Sequence, residues 1–164
     1  MEFTDRLIIK MTEWFSGDPK RIQHFAKVHY FSALIGREEC TAEELEVVEI
    51  ASIVHDIGIK PSEEKYGKGN CDGKKQETLG IKPAEKMLEE LGADENLISR
   101  VCFLVGHHHT YDNIQDKALQ VLIEADFIIN AFEDNLKKEN IMVFRDKYFK
   151  TNTGKKILDI MFGL

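Results

Sequence analysis

Residues 51–60 read ASIVHDIGIK, an apolar helical stretch that ends on a histidine and an aspartate just before Gly58. The helix opens at the capping box TAEE, residues 41–44, and Leu45, Val48, Ala51, Ile53 and Val54 give it a packing face. His55 and Asp56 therefore fall in the last turn of a helix built for burial, where a carboxylate needs hydrogen bonds, a cation or a raised pKa. Adjacent helical side chains point about 100° apart, so the two cannot share a face. At a helix end, however, both can converge on one ion lying just beyond it.

Outward from this stretch the punctuation stays helical, with no alternating run bounded by hairpin turns. Asp18 before Pro19 caps a helix that runs through KRIQHFAKVHYFSALI to Gly36. A helix is expected over about 82–91, with Pro83 in or near its first turn and Gly92 at its end; Asp94 then caps another through NLISRVCFLVGHHH. A long helix is expected over about 116–134, and two shorter ones close the chain. The expectation is an all-α single domain over 1–164, a bundle of about six to eight helices with its core at about 18–135 and the helices of 136–164 packed on it. Length and composition agree, since 164 residues with 43% hydrophobic content can bury roughly two-thirds of the unfolded surface.

Composition excludes several classes. Cys40, Cys71 and Cys102 are odd in number and form no C-x-x-C pair, which argues against a disulfide framework or a thiolate zinc site. Neither a leader pattern nor an apolar run of about 18 residues occurs, so a cytoplasmic protein off the membrane is expected. A net charge of −7 argues against duplex nucleic acid. Two basic stretches remain. Residues 59–75, IKPSEEKYGKGNCDGKK, read as a long loop, either a binding segment or a solvated connection. Residues 137–156 combine seven Lys or Arg with Ile141, Phe144, Tyr148 and Phe149, and read as a docked C-terminal helix with a wet basic face. TNTGKK at 151–156 lacks the first glycine of a phosphate loop and has Lys156 where a hydroxyl residue is required.

The remaining ionisable groups sit in or beside apolar sequence: His24 among Ile22, Phe25, Ala26 and Val28, the run His107, His108 and His109, and Asp126 within VLIEADFIINAF. One histidine on an apolar helix is usually a core residue, and His29 is read that way because it is rotated about 140° from His24. Three histidines in succession, an H-D pair and a buried aspartate together favour a metal site.

In order along the chain, RIQHFAKV, VHDIG and IEADFI resemble the H…HD…D pattern of the HD-domain superfamily of metal-dependent phosphohydrolases, over about residues 18–135. The resemblance implies that His24, His55, Asp56 and Asp126 ligate one divalent ion, with Asp56 also orienting the attacking water. VGHHHTYDN looks like the paired-histidine segment of the dinuclear branch, which places His107 and His108 at a second ion or at proton donation. Dinuclear members carry a further histidine before a glycine and helix; here KKQETLGIKPAEKML offers Gln76 and Glu77, so Glu77 is either a ligand or a first-turn acid. Some relatives read HDIGK, whereas Ile59 holds that place here and Lys60, one later, is the candidate for stabilising phosphate charge. No Gly-Tyr-Pro follows Asp112.

The implied activity is hydrolysis of a phosphate monoester or diester, of a nucleotide or similar small molecule, by a metal-activated water. A mixed N/O donor set suits Mn, Fe, Co, Ni or Mg, with one ion expected and a second open. The resemblance leaves two alternatives, a di-iron oxygenase of the same superfamily and a non-catalytic nucleotide-binding signalling module.

Overall fold

Side-chain caps set where most of the helices begin. Asp18, Asp72, Asp94, Asp116 and Thr151 each accept the backbone N–H three residues on, and Thr41 and Glu44 close the expected capping box reciprocally. The computed structural model describes residues 1–164 as nine helices with no strand. They are α1 Phe3–Trp14, α2 Pro19–Glu39, α3 Ala42–Val54, α4 Ile59–Tyr66, α5 Gly73–Leu91, α6 Glu95–Val105, α7 Lys117–Glu133, α8 Lys138–Tyr148 and α9 Asn152–Phe162.

The all-α expectation holds, and two local readings are corrected. The stretch 59–75 is not one long loop: α4 occupies its first half, because Pro61 falls in a first turn where its missing N–H costs nothing, and because Ser62 is buried and Glu63 is clamped by Arg21. This helix raises the count above the expected six to eight. The helix expected from about 82 starts nine residues earlier, at Gly73 behind Asp72, with Pro83 in its interior. Burial of Glu77, Gly80, Ala84, Met87 and Leu88 along α5 outweighs the roughly 3 kcal/mol that an interior proline costs.

α3 and α7 are the central elements, the first with seven buried residues and the second with twelve. α2 packs against both, α6 against α3 and α5, and α1 lies across α3 and α5. Residues 137–156 form α8 and the start of α9 rather than a single helix, and α9 docks on α2 and α7. That docking is pinned by Glu124 of α7, which is fully buried and accepts from Gln120 Nε2, the backbone N–H groups of Lys150 and Thr151, and the Thr151 hydroxyl. Thirty-two apolar residues form one buried cluster through these helices. No helix is long and apolar enough to cross a membrane.

Candidate metal centre

Four chain segments end or pass at one point inside the bundle. α3 stops at Val54 and the chain continues in tight turns through His55 and Asp56, with Ile57 N–H bonded to the Val54 carbonyl and Ile59 N–H to that of Asp56. The following Gly58 lies against the backbone of α5: a Cβ there would stand 2.1 Å from the Gln76 carbonyl oxygen, so only glycine permits the approach that aims His55 and Asp56 inward. α6 ends at Val105 and turns through His107 to His109, while His24 comes from the second turn of α2 and Asp126 from the middle of α7.

Each inner imidazole has one nitrogen already committed. His55 Nδ1 donates to the Ser52 carbonyl at 2.7 Å and His108 Nδ1 to the Val105 carbonyl at 2.8 Å. His24 Nδ1 meets Glu133 Oε2 at 2.8 Å, and Lys27 Nζ holds the other oxygen of Glu133 at 2.5 Å. A carbonyl only accepts, so Nδ1 carries the hydrogen in His55 and His108, and Nε2 presents its lone pair to the interior. The Nε2 atoms of His55 and His108 are buried without a hydrogen-bond partner, an arrangement that is costly unless something else fills the gap.

The acceptors they face are carboxylates. Asp126 Oδ1 lies 3.1 Å from His24 Nε2 and 3.5 Å from His55 Nε2. Asp56 Oδ2 lies 3.4 Å from His24 Nε2 and 3.5 Å from His55 Nε2, while its Oδ1 faces His108 Nε2 at 3.6 Å. Ligand atoms about 2.1 Å from a shared ion stand roughly 3.0 Å apart in octahedral and 3.4 Å apart in tetrahedral geometry. The observed 3.1–3.6 Å lies within about 0.2 Å of that range, so the residues present fit a divalent cation. Donor atoms of His24, His55 and Asp126 form one close group, and those of Asp56, His108 and His109 form another. Asp56 thus spans both with its two oxygens.

Electrostatics points the same way. Burial works to lower the pKa of His24, but its bond to Asp126 and the charges of Asp56 and Asp126 overcome this and push it up to about 9. His55, fully buried, is likewise raised, by Asp56 and then Asp126. Burial alone would raise both aspartates; the facing imidazoles instead hold Asp56 and Asp126 below the usual carboxylate range. A field that draws a proton onto Nε2 also draws a divalent cation to the same place.

The other candidates lie outside this group. His107 points away, its Nδ1 bonded to the Phe103 carbonyl at 2.7 Å and its ring stacked on Phe103 at 4.3 Å. The inner pair of the triple is therefore His108 and His109, one position later than the resemblance implied, because the turn after Val105 swings His107 back over its own helix. Glu77 is buried, but Oε1 accepts the His109 N–H at 3.0 Å and the Thr110 hydroxyl at 2.9 Å, and Lys74 lies 3.4 Å from Oε2. It ties the histidine turn to α5. Lys60 is turned from the centre toward α1, with Nζ 3.2 Å from the Trp14 carbonyl and 5.1 Å from the centre of its indole ring. The sequence does not single out Glu133, and it names His109 within the triple without assigning it a place in the site. Glu133 had a signal, since it follows Asp126 by seven residues, two helical turns, and shares its face. His109 is set by its Nε2 bond to Gln76 Oε1 at 3.0 Å, a contact across 33 residues with no sequence signature.

A family model for the HD domain matches residues 21–141. Among solved structures, the chain is similar to the crystal structure of a predicted HD superfamily hydrolase from an uncultured Thermotogales bacterium. The identity is 24%, the TM-score 0.67, and the match covers 97% of this chain and 84% of that one, a likeness of fold. No curated protein matches the sequence.

Proposed function

Because the chain belongs to the HD-domain family, typically metal-dependent hydrolases, we propose that it is a phosphohydrolase acting on the phosphate ester of a small molecule. In this reading His24, His55, Asp56 and Asp126 hold one divalent ion, and Asp56, His108 and His109 offer a second position. The observation that carries it is the convergence of imidazole Nε2 atoms, two of them buried and unpartnered, on two carboxylates at 3.1–3.6 Å.

A divalent ion bound there supplies Lewis acidity toward the phosphoryl oxygens and a water acidified to near neutrality. The protein supplies the rest. Glu133 and the Ser52 and Val105 carbonyls fix three imidazoles in one tautomer and one orientation, so binding requires no reorganisation. Asp56, with one oxygen toward each donor group, would hold the ion and accept a hydrogen bond from the attacking water. A cavity of about 230 Å³ opens beside His24 and Asp56, giving the ester access from the α2–α7 side.

The test is protein purified without chelator, its metal content measured, then assayed for phosphate release from a panel of esters with several divalent ions. We expect metal retention and ester hydrolysis, both lost in Asp56→Ala and both kept in Lys60→Ala. A metal-loaded protein that releases phosphate from no ester, or an Asp56→Ala variant with an unchanged rate, overturns the proposal.

A further inference from the structure

The cavity beside the metal centre also limits what the ester can carry. It is lined by Asp18, Lys20, Arg21, His24, Asp56, Ile59, Asn130, Glu133 and Asp134, a single apolar residue among nine. At about 230 Å³ it is smaller than the roughly 300–1,000 Å³ clefts that hold drug-sized ligands. A nucleobase gains most from a flat aromatic or broad apolar face, and here no aromatic residue lines the space and Ile59 is its one apolar group. Phe127 of α7 is stacked on Phe144 of α8 at 3.7 Å, and Phe132, exposed on α7, is not among the lining residues.

Its polar groups divide into those already engaged and those free. Arg21 is fixed by Glu63 at 2.7 and 3.0 Å and lies 3.4 Å from Asp18; Glu133 is bound by His24 and Lys27. Lys20, Asn130 and Asp134 make no side-chain bond within the protein. The free set is one ammonium, one amide that both donates and accepts, and one carboxylate that only accepts. With His24 and Asp56 given to the ion, the remaining lining carries three carboxylates, Asp18, Glu133 and Asp134, against Lys20 and Arg21, which disfavours a second phosphate. Hydroxyl groups satisfy such a mixture of donors and acceptors without adding charge.

Resting on the hydrolytic reading, we propose that the substrate is a small, non-aromatic, hydroxyl-bearing phosphate monoester, a sugar or polyol phosphate. Lys20 neutralises its phosphate, and Asn130 and Asp134 take its hydroxyls. Nucleotides are excluded by lack of a stacking face, and polyphosphates by the acidic rim.

The test is calorimetric binding to the Mn²⁺-loaded protein of glycerol phosphate, a pentose phosphate, phosphoethanolamine, AMP, ATP and inorganic phosphate. The sugar and polyol phosphates should bind at least about tenfold more tightly than AMP, and ATP most weakly. Lys20→Ala should weaken every phosphate, inorganic phosphate included, by about tenfold. Asp134→Ala should weaken the polyol esters several-fold and leave inorganic phosphate unchanged. AMP binding as tightly as the polyol esters, absence of binding by all of them, or an Asp134→Ala effect equal on inorganic phosphate overturns the inference. Preference for phosphoethanolamine alone also overturns it, pointing to an ammonium at Asp134. The hydrolytic reading fails separately, when the loaded protein binds these esters in the expected order but cleaves none, 4-nitrophenyl phosphate included.

Discussion

Replacing Glu133 isolates what the protein adds to metal binding without touching a ligand. Its carboxylate takes the Nδ1 hydrogen of His24 at 2.8 Å and is steadied by Lys27. In Glu133→Ala the imidazole can rotate and change tautomer, so the cost falls on orientation and basicity. Such outer partners typically contribute 10–100-fold in affinity, about 1.4–2.7 kcal/mol. With Mn²⁺ in large excess, the stabilisation conferred by the ion falls by the same amount. For a chain of 164 residues at about 2–4 °C per kcal/mol, the gap in Tm between metal-loaded and chelator-treated protein should narrow by roughly 3–10 °C. Glu133→Gln keeps an acceptor facing His24 and should lie between the two. Chelator-competition titration gives Kd directly, and scanning calorimetry with and without chelator gives the gap. A Kd within twofold of wild type, with an unchanged gap, refutes the claim that Glu133 orients His24 for an ion.

Glu124→Ala removes the acceptor of four buried donors and should cost on the order of 3–5 kcal/mol in urea unfolding, with loss of α9 first; less than about 1 kcal/mol contradicts the role given to it. Gly58→Ala forces a Cβ against the Gln76 carbonyl and should both destabilise the fold by about 2 kcal/mol or more and weaken Mn²⁺ binding, because the His55–Asp56 turn moves with it. A stable variant with normal affinity contradicts this. Two 2.5 Å bonds from Arg145 hold the Asp159 carboxyl below its ordinary 3.8, joining α8 to α9. A depressed folded pKa gives stability that is present above pH 3.8 and lost as pH falls through the lowered value, so the stability gap between wild type and Arg145→Ala should be open at pH 6 and close in acid. A gap that widens on acidification contradicts it.

How much of this was legible in the sequence depended on whether a residue's partner was local. The caps at Asp18, Thr41 and Asp94 involve bonds over three residues, and they gave helix starts that the structure reproduces. His24, His55, Asp56 and Asp126 were visible because each is a polar group set in apolar sequence. What decided the rest acts at long range. Burial of Ser62 and the Arg21–Glu63 clamp, 42 residues apart, make a helix of a segment with loop-like composition. Pro83 misplaced the start of α5 because local propensity has no knowledge of the surface it buries. Which histidines of 107–109 face inward depends on the turn after Val105 and on Gln76 and Glu77. Lys60 faces Trp14 because α1 lies across α5, and the sequence carries no sign of that packing.

The central claim is that four side chains from α2, the turn after α3 and α7 enclose a divalent ion. Crystals grown in Mn²⁺, with anomalous diffraction at the manganese edge, test it most directly. A strong peak is expected about 2.1–2.3 Å from His24 Nε2, His55 Nε2 and oxygens of Asp56 and Asp126. Saturating Mn²⁺ with no peak there, and the imidazoles bonded directly to the two aspartates, would contradict it.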